Sequence, residues 1–141
     1  MRSAVWLRAA SVVAFAQFVA HTAMFVSAKV SHGPAELAVV EAMKSQKFVF
    51  DGSLRSYWDL YFGYGLFAAF NCLVEAVLFW QLARLAKAGA AYGQPIVVLY
   101  CMANLGYALL VLRYFFIVPL VPDVVIAVCL ALAWWRELKV D

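Results

Sequence analysis

The feature that most constrains this chain is a set of four long apolar runs separated by shorter polar segments. They read as helices from about Trp6 to Ala28, Tyr57 to Leu85, Gln94 to Phe116 and Pro122 to Trp135. A helix of roughly 20 residues crosses a bilayer core of about 30 Å, so the runs read as membrane spans. Composition points the same way. Of 141 residues, 67% are hydrophobic and only 13% charged, against about half and about a quarter in soluble domains. So few charges cannot clothe a water-facing surface, whereas hydrocarbon accepts an apolar one if helices satisfy the backbone. The expected fold is an all-α polytopic membrane protein. It is a single domain over residues 1–141, a bundle of four transmembrane helices with a loop and short helix between the first two.

The net charge of +3 comes from Lys and Arg at the ends of the apolar runs. No basic block suggests a nucleic-acid partner. An even number of spans puts both termini on one side, with Arg2, Arg8, Arg84, Lys87, Arg136 and Lys139 there and Lys29, Lys44, Lys47, Arg55 and Arg113 opposite. This slight excess, with Trp6, Trp80, Trp134 and Trp135 beside it, favours cytoplasmic termini in a bacterial inner membrane. The first run ends Val26-Ser27-Ala28, which has the small-residue look of a signal-peptidase site. Its length and its Gln17 and His21 favour a retained helix.

The segment from Lys29 to Ser56 is the one substantial extramembrane piece. His32-Gly33-Pro34 reads as a turn opening a helix over Ala35 to Lys44, and Asp51-Gly52 is a strong turn signal. Ser56 with Asp59 three residues on resembles a capping box. The segment suits either a lid over the outer end of the bundle or a plain connection. Val118-Pro119-Leu120-Val121-Pro122 reads as an apolar hairpin, with Arg113 and Asp123 bridging across it. Cys72, Cys101 and Cys129 each fall within an apolar run and read as buried small hydrophobes.

Polar residues within the runs fall into stripes. At 100° per residue, Tyr57, Tyr61, Tyr64, Asn71 and Glu75 lie within roughly 80° on the second helix, and Tyr100, Asn104, Tyr107 and Tyr114 do so on the third. Gln17 and His21 are a turn apart on the first, and the fourth has no comparable side chain. Gln17, Asn71 and Asn104 sit near the middle of their spans, so the stripes are expected to face one another inside the bundle. This predicts a polar-lined pocket formed by Gln17, His21, Tyr64, Asn71, Glu75, Tyr100, Asn104 and Tyr107. The alternative is that these groups are packing contacts between helices. A carboxyl group in hydrocarbon is costly enough to make Glu75 a functional candidate. His21 and Glu75 are the candidates for proton transfer.

Three classes of function fit. One is binding of a hydrophobic small molecule or lipid, with proton-transfer chemistry of an isomerase kind. Another is a small proton-coupled transporter. The third is a structural subunit of a larger membrane complex, or a homo-oligomer. No metal constellation, paired dithiol, phosphate loop or nucleophile elbow is present in the sequence, and two facing membrane histidines for haem are lacking, so no cofactor is expected.

The stretch from Asp51 to Leu66, DGSLRSYWDLYFGYGL, together with His21 and His32-Gly33-Pro34, resembles a group of small uncharacterised bacterial four-helix membrane proteins. The resemblance covers nearly the whole chain and implies the same four-span plan. The plan with intramembrane His and Glu is also loosely similar to the sterol-isomerase and emopamil-binding superfamily. That likeness is architectural, and the superfamily's catalytic motif has no residue-by-residue counterpart here.

Overall fold

A computed structural model describes residues 2–27, 33–88 and 94–137. The elements in order are α1 (Arg2–Val26), α2 (Pro34–Ser45), β1 (Lys47–Phe50), β2 (Ser53–Ser56), α3 (Tyr57–Lys87), α4 (Gln94–Tyr114) and α5 (Ile117–Glu137). Helices α1, α3, α4 and α5 are each long and apolar enough to cross a membrane. The chain is thus a multi-pass membrane protein, mostly helical, with a short helix and a hairpin between its first two spans. Lys29, His32 and Lys139, which carry parts of the expected turn and charge pattern, lie outside the described residues.

The chain divides into two compact units, one of Met1–Phe18 with Cys72–Asp141 and the other of Val19–Asn71. In the larger unit, Ala4, Leu7, Ala10 and Ala14 of α1 are buried with Ala76, Phe79, Leu82 and Ala83 of α3, Val97 of α4, and Ile126, Cys129, Leu130 and Ala133 of α5. Small residues on α1 and α3 let two backbones approach closely, which is how helices pack where lipid supplies no hydrophobic drive. That approach is close enough for the Ser11 hydroxyl to donate to the Ala76 carbonyl across the pair at 2.7 Å. Between α4 and α5, the Cys101 thiol reaches the Ala127 carbonyl at 3.5 Å.

Helix α5 differs from the sequence expectation. Residues 118–122 are helical, the link from α4 is only Phe115–Phe116, and Pro122 lies inside the helix. Pro119 falls in the first turn, where no backbone N–H has an intrahelical acceptor, so it costs no bond. Pro122 forfeits one bond, early in the helix. Extending the helix upstream places Asp123, Ile126, Ala127, Leu130 and Ala133 on one buried face, the spacing of a helical stripe. The expected Arg113–Asp123 bridge is therefore replaced. Arg113 is exposed with its guanidinium 5.3 Å from the Tyr114 ring centroid, and Asp123 is turned inward.

Within the smaller unit, the segment between the first two spans is ordered by local chemistry. Gly33, with φ of 88°, precedes Pro34 at the start of α2, and Glu36 and Lys44 sit at the helix ends where their charges complement the dipole. Strands β1 and β2 pair antiparallel, Lys47 with Ser56 through Phe50 with Ser53. Their turn has positive φ at both central residues, 46° at Asp51 and 76° at Gly52, as the Asp-Gly hairpin turn requires. Sequence reasoning identified this turn without its strands. Ser56 ends β2 and caps α3: Asp59 Oδ2 accepts from the Ser56 N–H at 2.8 Å and its hydroxyl at 2.9 Å, while the Asp59 N–H donates to Ser56 Oγ at 3.1 Å. The capping box is formed with Asp in place of Glu.

Candidate functional site

The larger unit buries acidic and amide side chains among its apolar ones. Glu75 is 3% exposed, Asn104 1% and Asp123 5%. Helix α5 supplies Asp123 on the buried face described above, and half-buried Gln17 on α1 meets it: Gln17 Nε2 donates to Asp123 Oδ1 at 3.0 Å. Asn104 donates from Nδ2 to the Tyr100 carbonyl one turn earlier at 3.0 Å. The Tyr100 ring stands edge-on to Phe79, with centroids 5.5 Å apart. Tyr107 is partly exposed.

Hydrogen bonds between helices give the relative depths. Cys101 is level with Ala127. Moving three residues along α4 and four along antiparallel α5, about 5 to 6 Å at 1.5 Å per residue, brings Asn104 level with Asp123. Gln17 joins that level through its hydrogen bond. Ser11, level with Ala76, lies six residues before Gln17 on α1, or about 9 Å. Glu75, adjacent to Ala76, thus lies nearly that far from the amide layer toward the other end of the unit. Among the described residues, the larger unit buries two carboxyl groups at two depths, with Gln17 and Asn104 at the level of the second.

The remaining candidates lie in the smaller unit. His21 Nε2 is 3.1 Å from the Gly65 carbonyl oxygen. A carbonyl only accepts, so Nε2 carries the hydrogen. The imidazole stacks on Phe25 with centroids 4.8 Å apart, and Phe25 in turn meets Tyr61 and Phe62 at 5.6 and 6.4 Å. A Cβ at Gly65 would overlap the Phe25 ring, so any larger residue there would require that ring to move. Tyr64 is 75% exposed and Asn71 is exposed as well. The second-helix stripe therefore faces outward at Tyr64 and Asn71 and inward at Glu75.

Asp123, which sequence reasoning paired with Arg113 across a hairpin, is instead a buried polar residue of the larger unit. The signal was present: within the fourth helix, Asp123 takes the i position of a stripe with Ile126, Ala127 and Leu130. Among the described residues, no cluster of three or more His, Cys, Asp or Glu side chains is placed to hold a metal ion. No protein-family model matches the chain, and neither the curated proteins nor the solved structures give a match.

Proposed function

We propose that this membrane protein works by exchanging protons at carboxyl groups within its larger unit, Asp123 first and Glu75 second. The observation that carries this reading is Asp123: it is buried within an apolar span and takes its hydrogen bond from a neutral amide, Gln17, at 3.0 Å. An amide N–H can donate to the carbonyl oxygen of a carboxylic acid as well as to a carboxylate, though more strongly to the carboxylate, so the pair can keep its geometry in either protonation state. A cationic partner would commit the group to one. Proton exchange inside a span suits a proton-coupled transporter or a proton-transfer enzyme acting on a hydrophobic molecule, in an inner membrane with both termini cytoplasmic.

The test is infrared difference spectroscopy on reconstituted protein through a pH titration, comparing wild type with Asp123→Asn and Glu75→Gln. The expected result is a carboxyl band that follows pH in the wild type, is lost in Asp123→Asn and leaves the helical amide bands unchanged. Superimposable difference spectra from all three proteins would overturn the reading.

A second reading is binding of an apolar small molecule or lipid beside His21. It is favoured by the ring assembly of His21, Phe25, Tyr61 and Phe62 in the smaller unit, with exposed Tyr64 on the same helix as Tyr61 and Phe62. On this reading His21→Leu loses a lipid or apolar molecule that co-purifies with the wild type, while Asp123→Asn retains it.

A further inference from the structure

At the end of the larger unit where α1 begins and α3 finishes, Arg8, Trp80, Arg84, Lys87 and Ala88 line an open concavity of about 490 Å³. Trp80, Arg84 and Lys87 follow at i, i+4 and i+7 and so share one face of α3. Arg8 comes from α1, with its guanidinium 5.5 Å from the Trp80 ring centroid. Among the described residues, the lining holds three cations and no acidic side chain. Arg84 Nη1 makes a 3.5 Å contact with Gln81 Oε1 of the same helix, which leaves its other donors for a ligand.

Three cations at this spacing call for an anion. The surface leading away from them is apolar: Val5 and Val12 flank Arg8 on α1, and Val77 precedes Trp80 on α3, all exposed along helices long enough to span a membrane. A soluble anion has no use for such a surface, whereas acyl chains do. Tryptophan favours the boundary between headgroups and chains, and Arg with Lys between spans is a recurrent setting for acidic lipid headgroups.

We propose that Arg8, Arg84 and Lys87 bind the phosphate of an anionic phospholipid, with Trp80 at the glycerol level and the acyl chains running past Val12 and Val77. Arg8 is held over the indole by the cation–π contact and offers its outer N–H groups to the phosphate oxygens. Arg84 and Lys87 close the other side.

Fluorescence quenching by brominated lipids tests this on the full chain in phosphatidylcholine vesicles. The Trp80 contribution is isolated by comparison with Trp80→Phe. Brominated phosphatidylglycerol should quench that contribution several-fold more effectively than brominated phosphatidylcholine at the same mole fraction. The preference should vanish in the triple variant Arg8→Gln, Arg84→Gln, Lys87→Gln and persist in Arg113→Gln. Arg8→Gln, Arg84→Gln and Lys87→Gln made singly should each reduce it, which keeps the test decisive if the triple variant does not assemble. Inorganic phosphate at matched ionic strength should leave the preference intact. Equal quenching by the two lipids in the wild type, a preference that survives the substitutions, or displacement by inorganic phosphate would each overturn the lipid site.

Discussion

The segment between the first two spans and the spans themselves order their polar groups in opposite ways. In the smaller unit, the bonds of the capping box join residues three apart, Ser56 and Asp59. In the larger, Ser11 reaches Ala76 across 65 positions and Gln17 reaches Asp123 across 106. The contrast shows where information about structure resides. Local chemistry shapes the segment between the first two spans, with its Asp-Gly turn, helix-opening proline and cap. In the spans, where almost every position is apolar, a few long-range polar contacts set which face of each helix turns inward.

Disrupting the core of the larger unit should have the largest effect. Phe79 is fully buried there, and Phe79→Ala leaves a cavity that surrounding helices fill incompletely. Lipid is as apolar as the core, so the transfer term largely drops out and the cavity term remains, about 2 kcal/mol. Unfolding in mixed detergent micelles should show that loss, while amide exchange at residues 57–60 stays at the wild-type rate. Faster exchange there would mean that the Ser56–Asp59 cap is not held by its local bonds alone.

The converse substitution sharpens the contrast with a smaller effect. Asp59→Ala removes the acceptor for the Ser56 backbone and hydroxyl and so weakens the capping box at the start of α3. Hydrogen exchange should accelerate at Ser56 and the first turn of α3, with the unfolding midpoint of the larger unit unmoved. A drop in that midpoint would show that the cap supports more than its own turn.

Legibility from the sequence divides along the same line. The four spans follow from hydrophobicity, and the Asp51-Gly52 turn, the Pro34 helix start and the Ser56–Asp59 pair follow from residue chemistry acting over a few positions. The strands flanking the turn escape notice because each is four residues long and pairs with the other alone. The polar layer was legible as stripes, since helical spacing shows which residues share a face. It does not reveal which way that face points when the whole helix is apolar. Tyr64, Asn71 and Glu75 share a stripe on α3, yet the first two are exposed and the third buried, because the helix passes from one unit to the other between Asn71 and Cys72. Asp123 was obscured by prolines that read as a hairpin, although Pro119 falls within the first turn of α5 and Pro122 forfeits a single bond.

The account depends most on the bond between Gln17 and Asp123, because it joins the ends of the larger unit's sequence at the carboxyl group assigned to proton exchange. Its direct test is the infrared carboxyl signal of Asp123, identified by its loss in Asp123→Asn, measured in wild type and in Gln17→Leu. Removing the amide donor should shift that signal while leaving the Glu75 signal, identified through Glu75→Gln, where it was. An Asp123 signal at the same frequency in both proteins would contradict the pairing and the polar centre built on it.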